Sequence, residues 1–239
     1  RGLGDVYKRQ VQDGEFVSIV GSNGSGKTSM LNIICGSIPV DSGKIYISEE
    51  DITNKKEHIR HKIIGRVYQN PAMGTSPNLT ILENMSLADN KGKMYGLSSG
   101  INKKRKEDYR EMLRELNLGL EDKLNVKVGA LSGGQRQAMA LIMSTLTPIE
   151  FLILDEHTAA LDPKTAELIM ELTGKVVKEK KLTTIMVTHN LRYAIEYGNR
   201  LVMMHQGNAI LDKKGEEKDK MSVDDILALF NEISIECGN

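Results

Sequence analysis

Short apolar runs alternate with helical stretches along this chain, and the alternation sets the expected architecture. EFVSIV (Glu15 to Val20) is β-branched and stops at a glycine, which predicts a buried strand. GSNGSGKTSMLNIICGS predicts a glycine-rich loop and then a helix with Met30, Leu31 and Ile34 on its apolar face and Gly36 near its end. DSGKIYIS reads as a turn and a strand, and IIGRVYQ (Ile63 to Gln69) as another strand. From Pro71 to Gly129 apolar positions recur every three or four residues, Met112, Leu113 and Leu116 among them, so this stretch is expected to be helical. Ala138 to Leu146 reads as a helix. FLILDE (Phe151 to Glu156) is a wholly apolar strand ending in two acids, the pattern of a strand covered on both faces.

Helix PKTAELIMELTGKVVKEK, strand LTTIMVTH, helix NLRYAIEYG and strand RLVMMHQG turning into NAILD continue the alternation. Ser222 and Asp225 form a capping box before a last helix, VDDILALF. The pattern predicts an α/β fold with a parallel sheet and right-handed crossovers. It is one domain over 11–239, with a core at 11–70 and 130–215, a helical insertion at 71–129 and a terminal helix at 222–232.

Composition narrows the field. Hydrophobic residues make up 40% and charged residues 27% of the 239, as in an ordinary globular domain. Lys+Arg and Asp+Glu are both 32, so no global basic field argues for nucleic acid. Cys35 and Cys237 lack metal-type spacing and read as free thiols in a reducing compartment. No apolar run approaches the roughly 20 residues that cross a bilayer. Service to a membrane is therefore expected from its cytoplasmic face, through a partner. The first ten residues, RGLGDVYKRQ, resemble a translated sequencing adapter and are set aside.

Two motifs carry phosphate chemistry. GSNGSGKT (Gly21 to Thr28) fits G-x-x-x-x-G-K-[ST] between a strand and a helix. Gly21, Ser22, Asn23, Gly24, Ser25, Gly26 and Ser29 would turn backbone N–H groups and a helix start toward phosphate. Lys27 would reach the β and γ phosphates, and the Thr28 hydroxyl would coordinate Mg²⁺. In FLILDE, Asp155 stands where it could hold Mg²⁺ through water, and Glu156 where it could act as general base toward water. LSGGQRQ (Leu131 to Gln137) alone is compatible with an ordinary loop capping a helix.

Together, the phosphate loop, LSGGQRQ and the apolar strand ending in Asp-Glu resemble the ABC-type ATPases from Val11 to about Asp212. The resemblance implies a P-loop NTPase with a RecA-like parallel core and an inserted ABC-type helical subdomain. It implies that Ser132, Gly133, Gly134 and Gln135 begin a helix and bind the γ-phosphate of ATP held by the other subunit of a homodimer. Gln69 matches the glutamine that contacts Mg²⁺ and the lytic water, Ala159 to Asp162 a loop crossing the dimer interface, and His189 the histidine that touches the γ-phosphate. ATP and Mg²⁺ are the implied cofactors, with an integral membrane permease as partner and a substrate-binding protein as an indirect one. NPAMGTSPNLTILEN is the stretch expected nearest the permease.

The chain departs from the family pattern at several places. His157 stands where many members have proline, and MALIMSTL lacks a common arginine. These features resemble a branch attached to importers that use a separate binding protein, some of them linked to aromatic amino acids. Tyr7 lies too near the phosphate loop to stack on adenine, so no residue is assigned to that role. The other histidines, His58, His61 and His205, read as surface or edge residues. Met139, Met143, Met203 and Met204 read as core filler, and KKRKEDYR as a solvated helix face, with Lys103, Lys104 and Arg105 near lipid headgroups or a partner as the minor reading.

Two other functions compete with this reading. A non-transport ABC ATPase acting on ribosomes or DNA usually carries a second cassette, coiled coils or zinc motifs, none of which is evident. A GTPase switch fails because TNKKE does not match Asn-Lys-x-Asp and LSGGQRQ would stay unexplained.

Overall fold

The computed structural model describes residues 10–93 and 100–236. The expectations for residues 1–9, Tyr7 included, and for Cys237 lie outside the described residues.

The core is a six-stranded sheet in the order β4-β5-β6-β1-β7-β8. Strand β1 (Phe16–Gly21) leads into helix α1 (Lys27–Cys35). A two-residue ladder pairs β2 (Tyr46–Ile47) with β3 (Glu50–Asp51), and the four-residue helix α2 (Glu57–Arg60) precedes edge strand β4 (Ile64–Val67). The strand expected at DSGKIYIS is thus only a tight hairpin, because Ser48 and Glu49 both take positive φ, 47° and 68°, and turn the chain back at once.

Helices α3 (Ile81–Asp89) and α4 (Lys106–Arg114) lie within the stretch 71–129, where no described residue joins the large sheet. Helix α5 (Gly133–Ser144), strand β5 (Phe151–Asp155), helix α6 (Pro163–Lys180), strand β6 (Thr183–Val187), helix α7 (Leu191–Glu196) and strand β7 (Arg200–His205) follow in alternation. Every pairing from β4 to β7 is parallel. Strand β8 (Asn208–Lys214) returns antiparallel through Gln206 and Gly207, a two-residue turn with positive φ at both positions. Helices α8 (Glu216–Asp219) and α9 (Val223–Glu236) close the chain. The Ser222 hydroxyl accepts from the Asp225 amide at 3.2 Å, while Asp225 accepts from the Ser222 amide at 2.8 Å, the capping box read from sequence.

All of β5 is buried, and its side chains alternate between two cores. Phe151 and Ile153 pack with α1 and β1, whereas Leu152 and Leu154 pack with α5 and α6. This double cover forces every site group on β5 to its carboxyl end, where the sheet meets the loops.

The charged run before and within α4 is only partly a solvated face. Lys103 and Lys104 are exposed, but Arg105 turns inward to Asp89 on α3, and the buried Tyr109 donates its hydroxyl to the same carboxylate at 2.9 Å. Asp89 is buried and needs these partners. Burial and the Asp89 charge push the Tyr109 hydroxyl up to about 12.

Candidate functional site

Between β1 and α1 the chain must make a close turn beneath the sheet edge. At Gly21 an added Cβ would lie 2.4 Å from the Met204 carbonyl oxygen, so no side chain fits. Gly24 and Gly26 take φ of 77° and 98°, backbone that favours glycine. Lys27 is buried, and its ammonium donates to the carbonyls of Gly21 and Ser22 at 2.8 and 2.9 Å. Burial holds its pKa down, partly offset by the charge of Glu156. That coupling places the loop and the end of β5 in one electrostatic neighbourhood. Ser22, Asn23, Gly24, Thr28 and Ser29 are exposed around the loop, while Ser25 is buried inside it.

Past Asp155 the chain bends through Glu156 at φ 48°. A positive φ at a non-glycine residue is backbone strain, and here it falls on the candidate base. Glu156 Oε1 lies 2.7 Å from His189 Nε2. Both Gln69 and His189 fall two residues beyond their strands, correcting the expectation that they end them. The cause is register: β4 runs out of partner at Val67–Leu154, and β6 ends at Val187, opposite Asp155. A cleft of about 740 Å³ opens beside this pair, lined by Glu156, His189, Asn190 and the Thr158–Leu161 loop.

Ser132 caps α5, accepting from the Gln135 amide at 3.2 Å, while the Gln135 side-chain oxygen accepts from the Ser132 amide. The helix runs from Gly133 to Ser144, so the Ser-Gly-Gly segment begins it as the resemblance implied, and this reciprocal cap organises its first turn. Ser132 and Gly133 are exposed at that helix start. The cap leaves the Ser132 O–H proton unused, so the end can still donate to an anion. Gly134 is buried, and an added Cβ there would meet Thr165 Cγ2 at 2.2 Å. Asp162, in the loop read as crossing an interface, caps α6 by accepting from Thr165, and that bond lowers its pKa.

Sequence reasoning missed several residues. Arg66, on β4, donates to Asp155 Oδ2 at 2.6 Å and to Asn32 Oδ1 at 2.9 Å. Its signal was a lone cation in the apolar run IIGRVY, which a buried strand tolerates only when paired. Gln137, buried on α5, donates to the Tyr68 carbonyl at 3.1 Å and ties the helix begun by Ser132 to the chain before Gln69. His157 is buried against α6, its Nε2 3.1 Å from Thr173 Oγ1. Thr173 spends its own proton on the Ile169 carbonyl, so His157 Nε2 is the donor. Burial pulls its pKa down to about 4.

A second opening, about 340 Å³, lies between β4, α3 and α5. Its walls carry His61, Arg66 and Lys91 with Leu87 and Met143, and no acidic side chain among the described residues lines it. Met73, 69% exposed, belongs to the NPAMG stretch beside Gly74 on its wall. Met143 thus faces an opening, whereas Met139, Met203 and Met204 are buried as expected of core filler. His58, His61 and His205 sit at the surface or partly buried, as read.

A phosphate loop, an Asp-Glu strand end and a capped Ser-Gly-Gly helix on one sheet edge define an ATP-binding and ATP-hydrolysing cassette. The sequence model of the ABC transporter family matches residues 6–159, and the chain belongs to that family as an ATP-binding subunit. It is similar, at 50% identity over 92% of this chain and 87% of the relative, to the tyrosine transport ATP-binding protein of Clostridioides difficile. It is 31% identical over 95% of this chain and 92% of the relative to the phosphonates import ATP-binding protein PhnC of Lactococcus lactis subsp. cremoris. Among solved structures, a dimeric post-hydrolysis cassette bound to ADP and Pi, MJ0796, aligns with TM-score 0.73 and 34% identity over 86% of this chain and 88% of that one. The ADP conformation of MJ1267 aligns with TM-score 0.75 and 26% identity over 96% and 90%.

Proposed function

We propose that this chain is the subunit that powers import of a small solute, an aromatic amino acid, by dimerising on ATP beneath a membrane permease. The Glu156–His189 contact carries the hydrolytic part of this reading, because a carboxylate fixed by a donor beside a phosphate loop is what a water-activating base requires. The solute is supported by the relative named for tyrosine transport.

In this reading the amides of Gly21 to Thr28 and the start of α1 take up the β and γ phosphates of ATP, and the Lys27 ammonium leaves the Gly21 and Ser22 carbonyls to meet them. Glu156 accepts the proton of the attacking water while His189 Nε2 holds its Oε1 in place. Gln69 orients that water from the β4 side. Ser132, Gly133 and Gly134 of one copy complete the phosphate site of the other, with Gln135 fixing the serine. The dimeric MJ0796 cassette supports this pairing.

The hydroxyl of Thr28, the carboxylate of Asp155 and the amide oxygen of Gln69 are hard oxygen donors that fit Mg²⁺. Thr28 lies one turn before Asn32 on α1, and Arg66 bridges Asn32 to Asp155, so the helix face and the carboxylate border one space. Magnesium supplies charge neutralisation to the phosphates there.

No helix among the described residues is long and apolar enough to cross a membrane. The permease is proposed to seat on the opening between β4, α3 and α5, where the exposed Leu87 on its wall and Met73, next to Gly74 in the chain, give it apolar purchase. A substrate-binding protein acts indirectly, through that permease. The test is to purify tagged Glu156→Gln protein from source-cell membranes. A stoichiometric integral membrane protein is expected. Ribosomal or DNA-repair components without one would overturn the transport reading and favour a non-transport ATPase.

A further inference from the structure

Arg66 has no part in the hydrolytic reading, yet it sits against one of its carboxylates. Its side chain is 6% exposed and that of Asp155 12%. One arm of the guanidinium donates to Asp155 Oδ2 at 2.6 Å, and the other to Asn32 Oδ1 at 2.9 Å. The carbon of the guanidinium lies 4.7 Å from the centre of the Tyr68 ring, and its buried Nε has no hydrogen-bond partner among the described residues. A fixed cation therefore bridges the α1 face that carries Thr28 and the end of β5. Thr28 and Asp155, two of the oxygen donors read as a metal site, lie on those two elements.

The guanidinium holds one oxygen of Asp155, so a metal ion drawing on the same carboxylate meets a fixed positive charge at close range, weakly screened in a buried setting. We propose that Arg66 is a resident counter-cation of Asp155 that opposes Mg²⁺ at the same carboxylate, a positioning residue that sets how tightly the nucleotide site takes its metal. The inference rests on the reading of Asp155 as a metal ligand. Replacing the arginine should therefore tighten the metal, whereas an arginine that only braced the fold would loosen it or leave it unchanged.

The experiment is a Mn²⁺ titration, read by electron paramagnetic resonance, of full-length Glu156→Gln protein loaded with ATP. Adding Arg66→Gln should tighten Mn²⁺ by about ten-fold, with Arg66→Lys between the two. Unchanged or weaker Mn²⁺ binding overturns the inference. ATP-analogue binding in EDTA and a thermal melt establish that each variant is folded. If Arg66→Gln does not fold, Arg66→Met carries the test, because it removes the charge and keeps an apolar stem. It should tighten Mn²⁺ to a similar degree, and no tightening overturns the inference. Asp155→Asn separates the two levels. If it weakens Mn²⁺ while the Arg66 variants fail to tighten it, only the role of Arg66 falls. If it leaves Mn²⁺ binding intact, the metal-site reading falls as well.

Discussion

Glu156 Oε1 and His189 Nε2 stand 2.7 Å apart, joining the turn after β5 to the turn after β6 at the carboxyl edge of the sheet. The His189 side chain is 45% exposed and that of Glu156 15%, so the histidine is the accessible member and the carboxylate the sheltered one. A proton acceptor held in this way is positioned before substrate arrives.

Removal of the histidine should therefore act on turnover more than on nucleotide affinity. His189→Ala is expected to lower ATP turnover roughly a hundredfold and to change binding of a fluorescent ATP analogue little. Steady-state phosphate release and an equilibrium titration check the two halves. Loss of binding in proportion to loss of turnover would contradict the positioning role.

Gly134 makes the first turn of α5 lie close on α6. With an added Cβ only 2.2 Å from Thr165 Cγ2, Gly134→Ala should lower stability by about 1–3 kcal/mol. Thr165→Ser removes that methyl and should restore most of the loss in the double variant. Urea midpoints of the two single variants and the double variant decide it. Equal loss with and without Thr165→Ser would place the cause elsewhere.

The buried His157 gives stability a pH dependence of defined sign. Its folded pKa is about 4 against an unfolded 6.5, so above pH 6.5 both states are neutral and pH has no effect through this group. Between pH 6.5 and 4 the unfolded chain binds a proton that the folded chain refuses, and stability falls by roughly 3 kcal/mol in all. His157→Gln should flatten that part of the profile, whatever its effect at pH 7. Urea midpoints from pH 7.5 to 4.5 give the comparison. Identical slopes in both proteins would exclude His157 as the source.

What was legible in the sequence was local. Helix α6 reads correctly at both ends because Asp162 caps it, Pro163 fills its first position and Lys181 takes the left-handed conformation after it. The phosphate loop was legible for the same reason, since its glycines and Lys27 lie within eight consecutive residues. The ends of β4 and β6 were not, because a strand stops where its neighbour stops, and the neighbours are distant in sequence. The Arg66–Asp155 pair spans 89 residues and exists only through the β4–β5 pairing. The Ser132 cap shows local and functional signals sharing one residue. LSGGQRQ reads as a helix cap and is one, while its exposed first turn also suits an anion.

The central claim is that Glu156 drives hydrolysis at a site shared between two copies of the chain. The most direct test measures ATP turnover and molar mass by light scattering on purified Glu156→Gln, with Mg²⁺ and either ATP or ADP. Turnover is expected at least about a hundredfold below wild type, with a dimer in ATP and a monomer in ADP. Turnover near wild type would remove Glu156 as the base, and a monomer with bound ATP would contradict the shared site.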